Sequence, residues 1–332
     1  MIKVAPMPDE LAIAHKERIA WVNGWVDKNQ MDVAICQAVN SRAFNGDLEP
    51  MLHKLAIISD IPQTEYARLH SMLPLTRVVS YWGDDVHGGI GQNGVSCYRG
   101  MKTQRRGTYC CTQCIREDIE YWGFSWYRRR HHLVGVDWCS LHGCLLSQVT
   151  ASLPFNRNPD HWLKLGKLEQ LTTAKDCQPE NEFIKRYIDI AEALLLQRGA
   201  FSFYNMNLMF TIRISKIKNR SNQNPKLFLL KKFNEQVPRT WLEKIEKEQK
   251  LEKKYDANRK IDSVFKSTMP EESRYLYILA MASLYDSVDG MLVDMKNARN
   301  FNYFKWYESE YGVEYQGWID TPCPRVREIF TV

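Results

Sequence analysis

In the first quarter of the chain, apolar residues recur among polar ones at a spacing close to the period of an α-helix. After Pro8, Asp9 and Glu10, apolar residues recur at Leu11, Ala14, Ile19, Val22 and Val26. Spacing of three to four residues places such side chains on one face of an α-helix, and proline followed by acidic residues is typical of a helix start. The pattern therefore predicts a helix from about residue 8 to residue 26.

A second helical pattern is interrupted by a turn. Leu52, Leu55 and Ala56 share one face, residues 59–62 (Ser-Asp-Ile-Pro) break the period, and it resumes at Tyr66, Leu69, Met72 and Leu73. This outline predicts either a helix-turn-helix that reads DNA or an ordinary helical hairpin, and the spacing alone does not distinguish them.

The second half of the chain is also predicted to be helical. Residues 183–195 form an amphipathic pattern that Gly199 can end, and shorter helices are predicted at 206–217 and 227–233. Between residues 243 and 254, Glu and Lys alternate in sign, which favours a solvated helix. A capping box at 268–271 (Thr-Met-Pro-Glu) predicts the start of a buried helix through Leu284.

Composition places the chain in a reducing compartment. Five of its nine cysteines lie between residues 110 and 144, which favours a local metal site over a disulfide framework. The N-terminus has no apolar segment of signal-peptide length, and the most apolar stretch, 276–284, is too short to span a bilayer. We therefore expect a cytoplasmic protein without a membrane partner. The net charge of +6 permits nucleic-acid binding without requiring it.

Two paired-ligand motifs carry the clearest chemistry. Cys111 and Cys114 form a Cys-x-x-Cys motif, and Cys139 and His142 form a Cys-x-x-His motif 24 residues later. In such turns the two donor atoms point to the same side of the backbone. The four side chains therefore predict one structural zinc ion whose coordination shell has no open position for water. The alternatives are reduced core thiols or a redox pair, although a redox motif would be expected in a βαβ context.

Several neighbouring residues could replace a proposed ligand. Cys110 and Cys144 flank the two motifs closely, and Cys97 lies upstream of them. Only Cys111 gives two motifs of equal spacing. His131 and His132 are interpreted as packing or hydrogen-bonding groups at the base of the site.

Basic and aromatic residues interleave around these motifs. The cations predicted to contact nucleic-acid phosphates are Lys102, Arg105, Arg106, Arg128, Arg129 and Arg130. The alternative is that they form the solvated rim of a small zinc module. The aromatic residues between them are better explained as the core of that module.

The segments around the proposed ligands resemble the TniQ/TnsD family of transposon target-selection proteins. The resemblance rests on CTQCIRED at 111–118, GFSWYRRRHHLVGV at 123–136 and CSLHGCLL at 139–146. Residues 6–75 are similar to the opening helices of that family. Thr112 stands where the family often has proline. Many family members have a second zinc ribbon, but only Cys177 and Cys323 follow Cys144, so a second metal site is not expected here. The long C-terminal extension of the largest members is not expected either.

The expected architecture is mainly α. Helical, helix-turn-helix-like domains at 1–94 and 181–332 would flank a small structural zinc-finger module at 95–150, with a linker at 151–180. No catalytic constellation is recognisable in the sequence, so we expect a protein that is not an enzyme.

The resemblance implies an adaptor in transposition. Such a protein would bind DNA, or a targeting complex on DNA, and recruit an AAA+ ATPase of the TnsC/TniB type and a transposase. Further hypotheses for partners are a CRISPR effector complex and a second copy of the chain in a homodimer. The aromatic segment 301–307 is a predicted anchor for a protein partner or part of the core. Alternative functions are a stand-alone zinc-dependent DNA-binding regulator and a structural subunit of an RNA-guided effector complex.

Overall fold

A computed structural model describes most of the chain. The described residues are 1–25, 27–39, 50–80, 86–89, 96, 99–172, 180–218, 224–248, 261–265 and 275–300. The predicted capping box at 268–271, the aromatic segment 301–307, most of the glycine-rich run 83–94 and Cys97 lie outside these ranges.

The described residues of the N-terminal part form five helices up to residue 80. They are α1 (Ala12–Val22), α2 (Lys28–Ala38), α3 (Met51–Ile58), α4 (Gln63–His70) and α5 (Leu73–Thr76). α1 starts later than predicted because Glu10 lies in the turn before the helix. The Glu10 carboxylate accepts the Met7 backbone N–H and binds the Arg18 guanidinium. The start of α2, which the pattern did not reveal, is capped by Asp27, whose side chain accepts the Asn29 N–H.

The hairpin of α3 and α4 confirms the predicted helix–turn–helix outline. Leu52, Leu55 and Ala56 are fully buried, and the turn between the helices places Asp60 in the left-handed region with φ of 55°. Tyr66 on α4 faces the same cluster of apolar side chains. A role of this hairpin in reading DNA stays a prediction.

Among the described residues, five short strands make two small sheets. They are β1 (Val79–Ser80), β2 (Tyr109–Cys110), β3 (Ser147–Val149), β4 (Leu168–Gln170) and β5 (Phe201–Ser202). β2, β3 and β4 pair antiparallel in that order, whereas β1 pairs parallel to β5. Helix α6 (Thr112–Trp122) follows β2 directly.

Part of the segment predicted as a linker extends the sheet that contains β2 and β3. Within residues 151–172 the chain forms α7 (Pro159–Lys164) and then β4, which pairs with β3. Asp160 accepts the N–H and hydroxyl of Ser125, and Tyr127 donates its hydroxyl to Pro154 O at 2.8 Å. This part of the chain is therefore packed structure rather than a free connection.

The C-terminal part is helical, as predicted. It comprises α8 (Glu182–Leu195), α9 (Phe203–Lys218), α10 (Pro225–Gln236), α11 (Arg239–Glu248), α12 (Tyr275–Leu284) and α13 (Val288–Asn300). All residues of α12 are buried, which confirms the predicted buried helix. α8 is capped at Leu196, before the predicted Gly199.

One hydrophobic core crosses the predicted domain boundaries. Its buried members include Leu11 from the N-terminal region, Val136 and Trp138 from the segment predicted as a zinc module, and Trp241 and Leu279 from the C-terminal helices. The fold is thus mainly α, with a cysteine–histidine cluster set between the helical parts, and the division into three domains and a linker stays a prediction. Among the described helices, no single one is long and apolar enough to cross a membrane; α12 and most of α13 reach that length only together, across a bend of 111°.

Candidate metal centre

The first two candidate ligands sit at the N-terminus of a helix. Cys111 is the N-cap of α6, and its sulfur accepts the Cys114 backbone N–H at 3.4 Å. Cys114 lies in the first turn, so both sulfurs face the end of the helix where unpaired N–H groups carry partial positive charge. This position favours the thiolate form that a metal requires.

The second pair lies on a tight turn. Cys139 N–H donates to Cys144 O and Gly143 N–H donates to Cys139 O, both at 2.8 Å. Gly143 has φ of 63°, the left-handed conformation that glycine adopts without strain. The turn brings the Cys139 sulfur and the His142 ring to the same side, facing α6.

The four donor atoms form a cluster of tetrahedral size. Cys111, Cys114, Cys139 and His142 each offer one atom, and these atoms all lie within 4.8 Å of one another. His142 Nδ1 lies 3.4 Å from the sulfurs of Cys111 and Cys114 and 3.5 Å from that of Cys139, and the Cys114 and Cys139 sulfurs are 3.7 Å apart.

These separations can be compared with a real coordination shell. With Zn–S of about 2.3 Å and Zn–N of about 2.0 Å, a tetrahedron has edges of about 3.8 Å between sulfurs and about 3.5 Å between sulfur and nitrogen. The observed distances agree with this geometry, so the residues fit a four-ligand zinc ion.

The thiols of the cluster shift the pKa values of one another. Hydrogen bonding to Cys111 and Cys139 raises the pKa of Cys114, whereas hydrogen bonds from Cys111 and Cys114 lower the pKa of Cys139. Metal binding would require all three thiols to lose their protons. A divalent ion would compensate three thiolates to a net charge of about −1.

Glu117 orients the histidine ligand. The second ring nitrogen of His142, Nε2, lies 3.0 Å from both carboxylate oxygens of Glu117, which stands one turn after Cys114 on α6. Carboxylates of this kind fix the tautomer of a ligand histidine and raise its basicity. Sequence analysis missed this residue, although its spacing of three from Cys114 places both on one helix face.

We expect Glu117→Gln to lower zinc affinity by about 10- to 100-fold, because the amide keeps the shape but loses the charge that polarises His142. A competition titration against a chromophoric chelator measures this change. Glu120→Gln, on an exposed residue of the same helix, is the matched control. Equal affinities for the two variants would show that Glu117 is only a surface acid.

Cys110 and Cys144, the alternative ligands, lie in different surroundings. The sulfur of Cys110 belongs to the main hydrophobic core and lies 3.7 Å from Ser147 O, and burial raises its pKa to about 12. It therefore points away from the cluster. Cys144 does not belong to the four-donor group, but its sulfur lies 3.3 Å from that of Cys111.

The two histidines at the base of the site are fully buried. His132 Nε2 accepts the Tyr109 N–H at 3.2 Å and its Nδ1 lies 3.0 Å from Arg128 O, while burial lowers its pKa to about 3. His131 Nε2 lies 3.8 Å from the Cys114 sulfur. These contacts agree with their interpretation as hydrogen-bonding groups around the ligands.

Three of the arginines predicted to bind phosphate form ion pairs with carboxylates of the protein itself. Arg128 makes two hydrogen bonds to Asp118, at 2.6 and 2.8 Å, and stacks on Trp126. Arg129 is 2% exposed and donates to Asp9 at 2.9 Å and to Arg68 O at 2.6 Å.

Arg105 is buried in the same manner. It is also 2% exposed and binds Asp137 at 2.9 Å and Glu248 at 2.7 Å. A phosphate would have to compete with these ion pairs for a guanidinium that is largely removed from solvent, and phosphate contact by Arg105, Arg128 and Arg129 stays a prediction. In the structure the three arginines connect segments of the fold.

The other three predicted cations are more accessible. Lys102 and Arg106 are exposed and lie in the turn before β2, whereas Arg130 is partly exposed and pairs with Asp9 at 3.3 Å and Glu192 at 3.9 Å. Of the six predicted cations, Lys102 and Arg106 are the most exposed to solvent, and their contact with phosphate stays a prediction.

Comparison with known proteins finds one family that the first part of the chain resembles. The model of the TniQ family matches residues 1–146, which include the N-terminal helices, both cysteine motifs and Glu117. Residues 1–146 are therefore similar to the TniQ family, and we call them the TniQ domain after the family that they match. This confirms the resemblance noted in the sequence. No curated protein matches the chain. Strand β4 and helices α7–α13 lie beyond the matched residues, and α8 and α11 among them contact the TniQ domain.

Proposed function

We propose that the protein is a target-selection adaptor of a transposon. It would bind nucleic acid, or a targeting complex on nucleic acid, and recruit an AAA+ ATPase and a transposase by protein contacts rather than by chemistry of its own. The observation that carries the proposal is the TniQ domain with the four metal-donor residues inside it. A TniQ domain supports a role associated with transposition, and the partners are part of the proposal.

Zinc would act structurally in this adaptor. Three cysteines and one histidine supply four protein ligands, so the ion would have no open position for water or substrate. The cluster joins β2 and α6 to the turn at residues 139–142. Zinc would then hold the loops of the TniQ domain in one arrangement for a partner to recognise.

Co-purification with the ATPase tests the proposal directly. The full chain is mixed with an AAA+ ATPase of the TnsC/TniB type from the same genome, in the presence of ATP and duplex DNA. We expect a stable complex with wild type and a weaker one with Cys139→Ala. No complex, together with tight binding of the chain alone to one DNA sequence, would favour the zinc-dependent regulator instead.

DNA binding by the chain is expected to depend strongly on salt and weakly on sequence. Replacing Lys102 and Arg106 by glutamine should lower the slope of log affinity against log salt concentration by about 2, because each phosphate contact contributes about 0.9. Fluorescence anisotropy at several salt concentrations measures the slope.

The matched control for this prediction replaces two exposed lysines of the C-terminal helices, Lys185 and Lys231, by glutamine. It changes the net charge equally. If both double variants lower the slope by the same amount, the effect comes from net charge, and Lys102 and Arg106 form only a solvated rim.

A further inference from the structure

Cys144 stands beside the candidate metal centre without being one of its four donors. In the antiparallel pairing of β2 and β3, Cys110 lies opposite Ser147, so Cys111 continues opposite Leu146. Side chains alternate along a strand, and residues 144 and 146 therefore share a face with Cys111. The hydrophobic cluster around the site contains Leu146 and Cys111, with Cys144 packed against it.

The two sulfurs are already in contact. Cys144 Sγ lies 3.3 Å from Cys111 Sγ, and a disulfide needs a separation of about 2.05 Å. A shift of little more than an ångström would close the bond. Cys144 is also half-buried, whereas Cys111, Cys114 and Cys139 are buried. Of these thiols it is therefore the one that a small oxidant in solution reaches most easily.

We propose that Cys144 is an oxidation-sensitive thiol that forms a disulfide with Cys111 and thereby releases zinc from the TniQ domain. A peroxide supplies the oxidising equivalents. The Cys144 thiol is first oxidised by hydrogen peroxide to sulfenic acid, with release of one water. The Cys111 thiolate then attacks the Cys144 sulfur, the S–S bond forms and hydroxide leaves. Two thiol groups lose two electrons, and one peroxide is reduced to two water molecules after protonation.

Disulfide formation removes one of four ligands. Cys114, Cys139 and His142 would remain, and an ion held by three protein ligands is open to water and to competing chelators. The inference rests on the proposed zinc site for the release of the ion, whereas disulfide formation depends only on the two sulfurs. An adaptor of this kind would lose its ordered metal centre under oxidative conditions and regain it after reduction and reloading.

The test uses the purified, zinc-loaded full chain. Zinc content is measured first, hydrogen peroxide is then added, and release is followed with a chromogenic chelator. Disulfides are mapped by peptide mass spectrometry. Cys144→Ser removes the reactive thiol, and Cys110→Ala is the matched control, because its sulfur points into the core next to Ser147 O.

We expect wild type and Cys110→Ala to release zinc several times faster than Cys144→Ser and to give a Cys111–Cys144 disulfide. Equal release by Cys144→Ser, or a disulfide confined to Cys111 and Cys114, would overturn the proposal. Zinc loss from untreated Cys144→Ser would also overturn it, because Cys144 would then be a ligand. If untreated wild type holds no zinc, the metal centre itself is wrong, and the peptide map alone decides whether the disulfide forms.

Discussion

Replacing Cys114 or Cys139 by alanine is expected to abolish the binding of about one zinc ion per chain that we predict for wild type. Each variant leaves two thiolates and one histidine, too few protein ligands for a closed tetrahedral site. In structural zinc sites the binding energy is also folding energy, about 10–16 kcal/mol in zinc-finger peptides. We therefore expect the segment from β2 to β3 to lose its order as well. Metal analysis and limited proteolysis measure the two effects.

Cys110→Ala is the control for these variants. Its sulfur lies next to the ligands in sequence but is buried in the hydrophobic core, 3.7 Å from Ser147 O. It should keep full zinc occupancy and lose only packing contacts. Full occupancy in both Cys114→Ala and Cys139→Ala would refute the ligand assignment, and loss of zinc from Cys110→Ala would show that the ion is held differently.

Local signals made the four-donor cluster predictable from sequence. The spacing of Cys111 and Cys114 fixes their relation within one helix start, and that of Cys139 and His142 fixes theirs within one turn. Only the approach of the first pair to the second depends on the tertiary fold. The equal spacing of the two motifs indicates that they share one metal site. The buried helix 276–284 was equally evident, because its residues are apolar on every side.

The roles of the arginines were not predictable in the same way. A run of three arginines in sequence suggests an exposed basic patch, but Arg129 finds its carboxylate in Asp9, 120 residues earlier. Arg105 pairs with Asp137 and, across a much longer separation, with Glu248. Such pairs depend on the tertiary fold, and no local period or spacing announces them. The same holds for β4, whose pairing with β3 completes a sheet of very short strands.

The contact of the TniQ domain with α11 is built on a buried charge. Asp137 is fully buried and accepts hydrogen bonds from Arg105, at 2.9 Å, and from Lys244. Next to it, Trp241 donates its indole N–H to Gly135 O at 2.8 Å. Gly135 has φ of 73°, and a Cβ there would lie 2.6 Å from the Ile245 side chain. Helix and loop therefore approach as closely as glycine allows.

Asp137→Ala should destabilise the protein by about 3 kcal/mol, the lower part of the range for breaking a buried ion pair. Arg105 would stay buried with Glu248 as its remaining carboxylate, and Lys244 would lose its partner. The free energy of unfolding in urea measures the change.

Asp286→Ala is the matched control for this change. Its carboxylate is 90% exposed and pairs with Arg186 and Arg213 at 3.8 and 3.6 Å, so water replaces it at little cost. If the two variants unfold at the same urea concentration, Asp137 does not hold the TniQ domain to α11. A larger loss for Asp137→Ala, reduced when Arg105 is replaced by methionine in the same chain, would locate the cost in the buried guanidinium that has lost one of its two carboxylates.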